Sequence, residues 1–334
     1  MRNILLYVVL LVPVLHADVT LLLEEPYGTF GAMNPTGHAA LYFSRICAET
    51  PILLRRCGAD EEGIVISRYH RVAGRDWLAI PLIPYLYAVT DVEQVPMSVT
   101  PETAAALRDA YRRAYLESLI PDDSDGSTPR GDWTQLIGES YDRTIYAFRI
   151  ETTEEQDEDL IRTLNAGPNH TSFHLIYRNC ADFARRVVNT YYPGAIKRNF
   201  SSDLGIMTPK QAAKRLLLYS KKHPDLEFSI SVVPQAVGTI PRSSAVRGVL
   251  ESLIKSKKYV VPLGVLAMLH PAVGSGIVYS WIDGPHFDPR RLAASRGVPW
   301  PETQIAHSMP EEHRGGASTG VVGIVSPAED AAGH

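Results

Sequence analysis

The stretch Tyr177-Arg178-Asn179-Cys180-Ala181-Asp182-Phe183 places a cysteine between two kinds of periodicity. Before it, the run from Phe173 to Tyr177 has an apolar ring or chain at every second residue, which predicts a strand. After it, Phe183, Val187 and Tyr191 recur every four residues, as on the buried face of a helix. The sequence therefore predicts a strand followed by a helix that begins at the cysteine.

The cysteine itself is a candidate nucleophile. Asn179 is a suitable N-cap, so Cys180 falls in the first helical turn. Unpaired backbone N–H groups and the positive end of the helix dipole stabilise a thiolate there. We therefore expect Cys180 to be reactive, with Asn179 in a supporting role. The alternative is a buried and inert cysteine on a core-facing helix, since free cysteines are often buried.

A thiol nucleophile needs a base, and His38 is the best candidate upstream. It follows Gly37, which ends a turn-rich segment, and it opens an apolar run that predicts a strand. A catalytic base must reach within about 3 Å of the proton that it removes. His70 follows a second predicted strand, and we expect it to be a possible third group that orients the imidazole ring.

The chain has three cysteines, an odd number. Cys47 and Cys57 flank two short apolar runs that meet at a proline-containing turn, which predicts a hairpin able to bring them together. In an oxidising compartment we expect these two to form a disulfide and Cys180 to remain free. The alternative is that all three are reduced and buried.

The N-terminus has the pattern of an export signal. One basic residue precedes an apolar stretch from Ile4 to Leu15, and Ala17 offers a small residue at the cleavage point. The apolar stretch is shorter than the roughly 20 residues of a membrane span. Residues 1–17 are therefore predicted to be a signal peptide, and the protein to be periplasmic or extracellular. An uncleaved anchor is the alternative.

Composition and motifs exclude several classes of function. The 334 residues carry a net charge of −4, with 33 basic and 37 acidic side chains and no basic tract, so we expect no nucleic-acid partner. No glycine-rich phosphate-binding loop occurs. The acidic run from Asp122 to Gly126 lacks the closing carboxylate of a calcium loop. We therefore expect no cofactor and no metal.

The second half of the chain divides by composition. We assign residues 18–235 to a catalytic domain and residues 236–302 to a helical or irregular C-terminal extension. Residues 259–282 in that extension carry no charge and are long enough to span a bilayer, yet prolines and glycines interrupt them. Membrane association through 259–282, by crossing or by lying on the surface, is thus an expectation. Residues 303–334, rich in Gly, Ala, Ser and Pro, are predicted to be disordered.

Two motifs carry a resemblance to a known superfamily. Gly37-His38 at the start of a strand and Asn179-Cys180 at the start of a helix, with Phe183 one turn on, resemble the circularly permuted papain-like proteins. These include permuted NlpC-type peptidases, lecithin:retinol acyltransferase-like proteins and the periplasmic lipoprotein N-acyltransferase-like domain. The resemblance covers roughly residues 28–195.

The resemblance implies an α/β (α+β) fold with an antiparallel sheet and a helix that carries the cysteine. It implies His38 as the base and Cys180 as the nucleophile. The third polar residue has no clear counterpart, and Ser67 and His70 are the candidates.

The implied reaction is acyl transfer through a thioester on an amide or ester of the cell envelope, either a peptide or a lipid. The resemblance leaves open whether the protein is a hydrolase or an acyltransferase. A non-catalytic envelope protein that uses the fold for binding or assembly is the second hypothesis. A membrane-tethered protein, anchored by residues 259–282, is a third. The sequence predicts no oligomeric state.

Overall fold

The structure is a computed structural model. It describes residues 17–28, 36–70, 72–170, 173–174, 176–199, 203, 205–255, 260–283, 287–296 and 298–299. The strands are β1 (Ala17–Glu24), β2 (His38–Phe43), β3 (Ile46–Thr50), β4 (Leu53–Arg56), β5 (Ile64–Ser67), β6 (Leu78–Pro81), β7 (Ile145–Thr152), β8 (Ser229–Val233) and β9 (Val298–Pro299). Within these ranges, seven strands form one sheet in the order β6-β5-β2-β1-β7-β8-β9, and β3 and β4 form a separate hairpin.

Neighbouring strands of the main sheet are antiparallel except for β8 and β9, which pair in parallel. This mixed architecture with an antiparallel sheet confirms the predicted fold class. The central strand β1 is buried along its whole length. Its alternate residues therefore enter two cores, with Leu21 and Leu23 on one face of the sheet and Leu22 on the other.

Helices cover both faces of the sheet. They are α1 (Leu82–Tyr87), α2 (Pro101–Tyr111), α3 (Glu139–Asp142), α4 (Glu154–Ala166), α5 (Cys180–Tyr191), α6 (Pro209–Ser220), α7 (Val249–Lys255), α8 (Val260–Leu269), α9 (Pro271–Asp283) and α10 (Pro289–Arg296). Short 3₁₀ turns occupy Val92–Gln94, Asp132–Leu136 and Pro224–Leu226, and a π-helical segment, Arg112–Leu116, continues α2.

The helix α5 begins at the cysteine, as predicted. Its N-cap is Asn179, whose side-chain oxygen accepts a hydrogen bond from the backbone N–H of Asp182 at 2.9 Å. Phe183, Val187 and Tyr191 are buried against the sheet. The apolar stripe thus fixes which face of α5 turns inward, and this leaves Cys180 at the edge of the core.

The predicted strand from Phe173 to Tyr177 is wrong. His174 and Arg178 form only an isolated bridge around a turn, and Leu175 lies outside the described residues. The aromatic rings here stack locally: Phe173 meets the ring edge of His70 at 5.2 Å between centroids, and Tyr177 stacks on His174 at 5.5 Å. The alternation therefore reflects ring stacking beside a turn and not one buried sheet face.

The apolar run from Trp77 to Val89, with prolines at 81 and 84, favours an irregular or edge strand, but the structure forms a strand followed by a helix there. The strand β6 ends at Pro81, which is also the N-cap of α1. Pro84 then lies in the first turn of α1, where a missing backbone N–H costs nothing. The prolines therefore start a helix here instead of marking a sheet edge.

Residues beyond 235 contribute contacts to the same core as the residues before them. Ser243 donates a hydrogen bond to buried Glu25 at 2.6 Å, and Arg290 on α10 binds the same carboxylate at 2.6 Å and 2.8 Å. Phe287 is buried among the residues of the main core. The predicted signal peptide, except Ala17, and the predicted tail 303–334 lie outside the described residues.

The apolar segment 259–282 is divided between two helices. The helix α8 ends at Leu269, and α9 starts at Pro271. Among the residues that the structure describes, no helix is long and apolar enough to cross a bilayer. Several apolar side chains of this pair face solvent, including Val261, Met268 and Leu269, which are 74%, 79% and 69% exposed.

A disulfide joins Cys47 to Cys57, across the hairpin of β3 and β4, and Cys180 is free. The two Cα atoms are 4.8 Å apart, within the range that the covalent bond requires. The disulfide closes a short loop, since the two cysteines are 10 positions apart in sequence.

We predict that replacing both Cys47 and Cys57 by serine lowers the free energy of unfolding by about 2–3 kcal/mol, because the unfolded chain gains the entropy of the opened loop. Urea titration followed by circular dichroism measures this difference. The matched control is Cys180→Ser, which removes a thiol without opening a loop. A double variant as stable as the control would contradict the prediction.

Candidate active site

A cavity of about 290 Å³ opens where β2 begins and α5 begins. Both His38 and Cys180 line it, so the structure brings together two residues that are 142 positions apart in sequence. Gly37 allows this arrangement, because its φ of +72° and its close approach to β1 leave no room for a side chain. A Cβ atom at Gly37 would lie 2.1 Å from the carbonyl oxygen of Glu24.

The structure gives His38 a partner on the neighbouring strand. The Nε2 atom of His38 lies 2.6 Å from Oγ of Ser67 at the end of β5. The same Ser67 hydroxyl donates a hydrogen bond to the carbonyl oxygen of Ala39 at 3.0 Å. A serine hydroxyl has only one proton to donate, and a carbonyl can only accept. With its proton donated to Ala39, Ser67 accepts from His38, and we assign the proton of the neutral ring to Nε2 and the lone pair to Nδ1 on this network.

His70 does not occupy the position of the group that orients the imidazole ring of His38. Its ring lies in the same cavity but is about half exposed, with Nδ1 3.8 Å from an oxygen of Asp132. The face of His38 is instead covered by Tyr69, whose ring stacks on it at 4.6 Å between centroids. Of the two candidates for the third residue, the structure thus places Ser67 against the imidazole and places His70 elsewhere.

Asn179 supports the site through the backbone. Its side chain caps α5 and donates a hydrogen bond to the carbonyl oxygen of Met207 at 2.9 Å. Both ends of the amide are therefore engaged with the backbone. These contacts hold the first turn of α5, and with it Cys180, against the loop before α6.

The surroundings of Cys180 favour the thiol over the thiolate, contrary to the expectation from its helix position. Burial is the main cause that raises the pKa of Cys180, to about 11, and the charge of Glu24 adds to the effect. Backbone N–H groups of Ala39, Ala181 and Cys180 itself hydrogen-bond to the sulfur and oppose this increase in pKa without overcoming it. The contact with Ala39 places the sulfur beside the residue that follows His38.

The imidazole is likewise neutral. Burial, and then the charge of Arg143, lower the pKa of His38 well below its usual value. A neutral thiol and a neutral imidazole with a free Nδ1 lone pair form a general-base arrangement, not a preformed ion pair.

Sequence reasoning missed a buried ionic cluster behind the imidazole. Glu24, the residue opposite His38 in the register of β1 and β2, is fully buried. Arg143 lies between two carboxylates, with Nη1 3.1 Å from Glu24 and Nε 2.8 Å from Glu139. The hydroxyl of Tyr85 donates to Glu24. Burial raises the pKa of both Glu24 and Glu139, because one arginine does not fully compensate two buried carboxylates.

The cluster reaches the cavity through Arg143, which lines its wall together with Tyr27. The Arg143 guanidinium lies 4.5 Å from the centre of the Tyr27 ring. Within the described residues, no three His, Cys, Asp or Glu side chains are grouped so that they could bind a metal ion.

Comparison with known proteins gives little further information. No family model and no curated protein matches the chain. Among solved structures, the chain is similar to a type VI secretion system effector, TseH, with 13% sequence identity and a TM-score of 0.30. The match covers 65% of this chain and 98% of that one. A similarity at this level supports no inference about activity.

We predict that alkylation of Cys180 by iodoacetamide is about tenfold faster at pH 10 than at pH 8. A thiol with a pKa of about 11 forms more thiolate as the pH rises, and this reaction adds to a pH-independent one in which His38 acts as the base. Quenched time points analysed by mass spectrometry measure the rate. Cys180→Ser is the control for background labelling, and circular dichroism checks that the fold persists across the range. A rate that is already maximal below pH 7 would show a preformed thiolate–imidazolium pair.

Proposed function

We propose that this protein is a thiol-dependent hydrolase or acyltransferase in which Cys180 is the nucleophile and His38 is the base. The observation that carries the proposal is the contact between Nε2 of His38 and the Ser67 hydroxyl, at a cavity that Cys180 also lines. The Nε2 proton of His38 is held by Ser67, which leaves the Nδ1 lone pair free in that cavity. A base with a fixed lone pair in the same cavity as a free thiol is the arrangement that nucleophilic catalysis requires.

In the first step, Nδ1 of His38 takes the proton of the Cys180 thiol as the sulfur attacks the carbonyl carbon of an amide or ester. The new S–C bond moves the carbonyl electron pair onto oxygen. The backbone N–H of Cys180, at the start of α5, is positioned at the helix N-terminus to donate to that oxyanion. Both catalytic groups are neutral in the resting site, so this charge separation arises only during the reaction.

The C–N or C–O bond to the leaving group then breaks, and the leaving group takes the proton from Nδ1 of His38. Water or a second acyl acceptor attacks the resulting thioester and gives its own proton to Nδ1. Collapse of this second adduct returns the proton to the sulfur and releases the product. Throughout, Ser67 accepts from Nε2–H, so the ring keeps its orientation while Nδ1 gains and loses a proton.

The location and substrate of the protein are part of the same proposal. The disulfide between Cys47 and Cys57 is compatible with an oxidising compartment, and the N-terminal sequence has the pattern of an export signal. We therefore place the enzyme outside the cytoplasm, acting on an amide or ester of the cell envelope.

A non-catalytic binding protein is the competing function, and one observation favours it. Burial raises the pKa of Cys180 to about 11, which is the behaviour of an inert thiol unless a base assists it. Whether His38 assists the thiol is therefore the decisive question.

We predict that His38→Ala slows the reaction of Cys180 with an iodoacetamide-alkyne probe at pH 7 by about 100-fold, because general-base assistance is lost. Gel fluorescence after coupling to a dye measures the rate. The control is His223→Ala, since His223 stacks on Tyr219 outside the cavity. Equal rates in His38→Ala and in the parent protein would support the binding function instead.

We predict a smaller loss, of about tenfold, for Ser67→Ala, because the ring keeps its base but no longer has a fixed tautomer. Nitrogen NMR of labelled histidine provides an independent measurement: the His38 signals should change from a pure Nε2–H pattern to a mixture of the two tautomers. Ser231→Ala, a buried serine on β8, is the matched control. An unchanged tautomer in Ser67→Ala would contradict the role given to Ser67.

A further inference from the structure

Arg68 is a second cation on the wall of the active-site cavity, and most of its hydrogen-bonding capacity is unused. It follows Ser67 in the chain, lines the cavity and is only 1% exposed. Its Nη2 binds a carboxylate oxygen of Asp76. Within the part of the chain that the structure describes, Nε and Nη1 of Arg68 have no hydrogen-bond partner. Buried donors without partners are costly, so their presence beside a cavity suggests a ligand.

Arg68 is also held close to the nucleophile. Its guanidinium lies 5.2 Å from the centre of the Phe183 ring. Phe183 is three residues after Cys180 on α5, a rise of about 4.5 Å along the helix axis. A group bound to the free nitrogens of Arg68 would thus share the cavity that Cys180 lines.

The charges around Arg68 favour an anion. Five arginines and two aspartates interact with one another around Arg186 and Asp182 of α5. The buried carboxylate that acts on Cys180, Glu24, is paired with Arg143. Asp182, the one acidic residue of the first turn, is already paired with Arg198 and lies 3.5 Å from Arg185. Across the cavity, Asp132 faces His70. The residues concerned are Arg68, Arg178, Arg185, Arg186, Arg198, Asp76 and Asp182.

The size of the cavity restricts the kind of anion. A volume of about 290 Å³ is at the lower end of small-molecule sites and accommodates a short peptide segment. It is too small to enclose a lipid with two acyl chains. A carboxylate on a peptide-like acyl substrate fits both the charge and the space.

We propose that Arg68 is a specificity-determining residue that binds a carboxylate of the acyl substrate, close to the bond that Cys180 attacks. The proposal rests on the proposed function and specifies its substrate class. It assigns to Arg68 a contact with the substrate and no part in proton transfer.

Two matched probes test the proposal. N-iodoacetyl-glycine carries a carboxylate, and N-iodoacetyl-glycinamide has almost the same shape but no charge. Both alkylate a cysteine by displacement of iodide. The measured quantity is the Cys180 alkylation rate with the acid probe divided by the rate with the amide probe. We expect Arg68→Met to lower this ratio by about 10- to 100-fold, because the variant loses a charge-assisted hydrogen bond to the carboxylate. The rate with the neutral probe should be nearly unchanged.

Two further variants separate local contact from general charge. Arg68→Lys keeps the cation but loses the guanidinium, and we expect an intermediate ratio. Arg186→Met removes an exposed arginine of the same cluster. Because exposed charges are screened by salt, it should change the ratio by less than about threefold at 0.15 M salt. An effect of Arg186→Met as large as that of Arg68→Met would overturn the proposal in favour of a diffuse electrostatic field.

A competition experiment identifies the anion. N-acetyl-glutamate should slow labelling of Cys180 by the neutral probe, while N-acetyl-glutamine at the same ionic strength should not. Protection by inorganic phosphate alone would overturn the assignment of a carboxylate.

The outcomes also separate this proposal from the function on which it rests. In one outcome, labelling of Cys180 depends on His38, but the ratio of the acid-probe rate to the amide-probe rate is the same in the parent protein and in Arg68→Met. This outcome would refute the role of Arg68 and leave the proposed pair of Cys180 and His38 intact. Labelling independent of His38 would refute catalysis. If Arg68→Met fails to fold, as judged by circular dichroism, the ratio in Arg68→Lys and the protection by N-acetyl-glutamate in the parent protein decide the question.

Discussion

The chemistry available to this site depends on a single proton, that of the Ser67 hydroxyl. The Ser67 hydroxyl donates this proton in a hydrogen bond to the carbonyl oxygen of Ala39. Ser67 therefore accepts a hydrogen bond from the imidazole of His38. Because Ala39 is the residue after His38, the strand that carries the imidazole also fixes its tautomer. In the proposed active site, a serine on an adjacent strand would thereby orient the imidazole, as a carboxylate or amide does in catalytic triads.

The environment of this hydrogen-bonded chain keeps the site uncharged at rest. Burial lowers the pKa of His38 and raises that of Cys180, and Arg143 and Glu24 act in the same directions on the two groups. Two effects therefore disfavour an ion pair between a Cys180 thiolate and a His38 imidazolium. One is desolvation of both groups, and the other is the charges of Glu24 and Arg143. Such a site protects its thiol from indiscriminate oxidation or alkylation, since reactivity requires the base to act at the moment of attack.

The parts of the site that could be predicted from the sequence are those encoded locally. Asn179 and the four-residue repeat of Phe183, Val187 and Tyr191 define the start and the buried face of α5, and the structure confirms both. Gly37 and the apolar run after it place His38 at the start of a strand, which the structure also confirms.

What could not be predicted depends on register and burial. The choice between Ser67 and His70 is decided by the pairing of Ala40 with Ser67 across β2 and β5, which no local pattern reports. The position of Cys180 at a helix N-terminus predicts a thiolate. Burial and the carboxylate of Glu24 on β1 instead raise the pKa of the thiol, and neither effect can be read from the local sequence. The cluster around Arg143 joins residues more than a hundred positions apart and has no periodic signature.

The ion pair between Arg290 and Glu25 has a consequence for how the protein matures. Glu25 is 1% exposed and adjoins Pro26, which lines the cavity, and its guanidinium partner is encoded 265 residues later. A growing polypeptide that has not yet reached residue 290 carries this carboxylate without its counterion. The buried carboxylate beside Pro26, which lines the cavity, thus gains its counterion only after residue 290 has been synthesised, so the last step in building this wall of the cavity waits for a distant part of the chain.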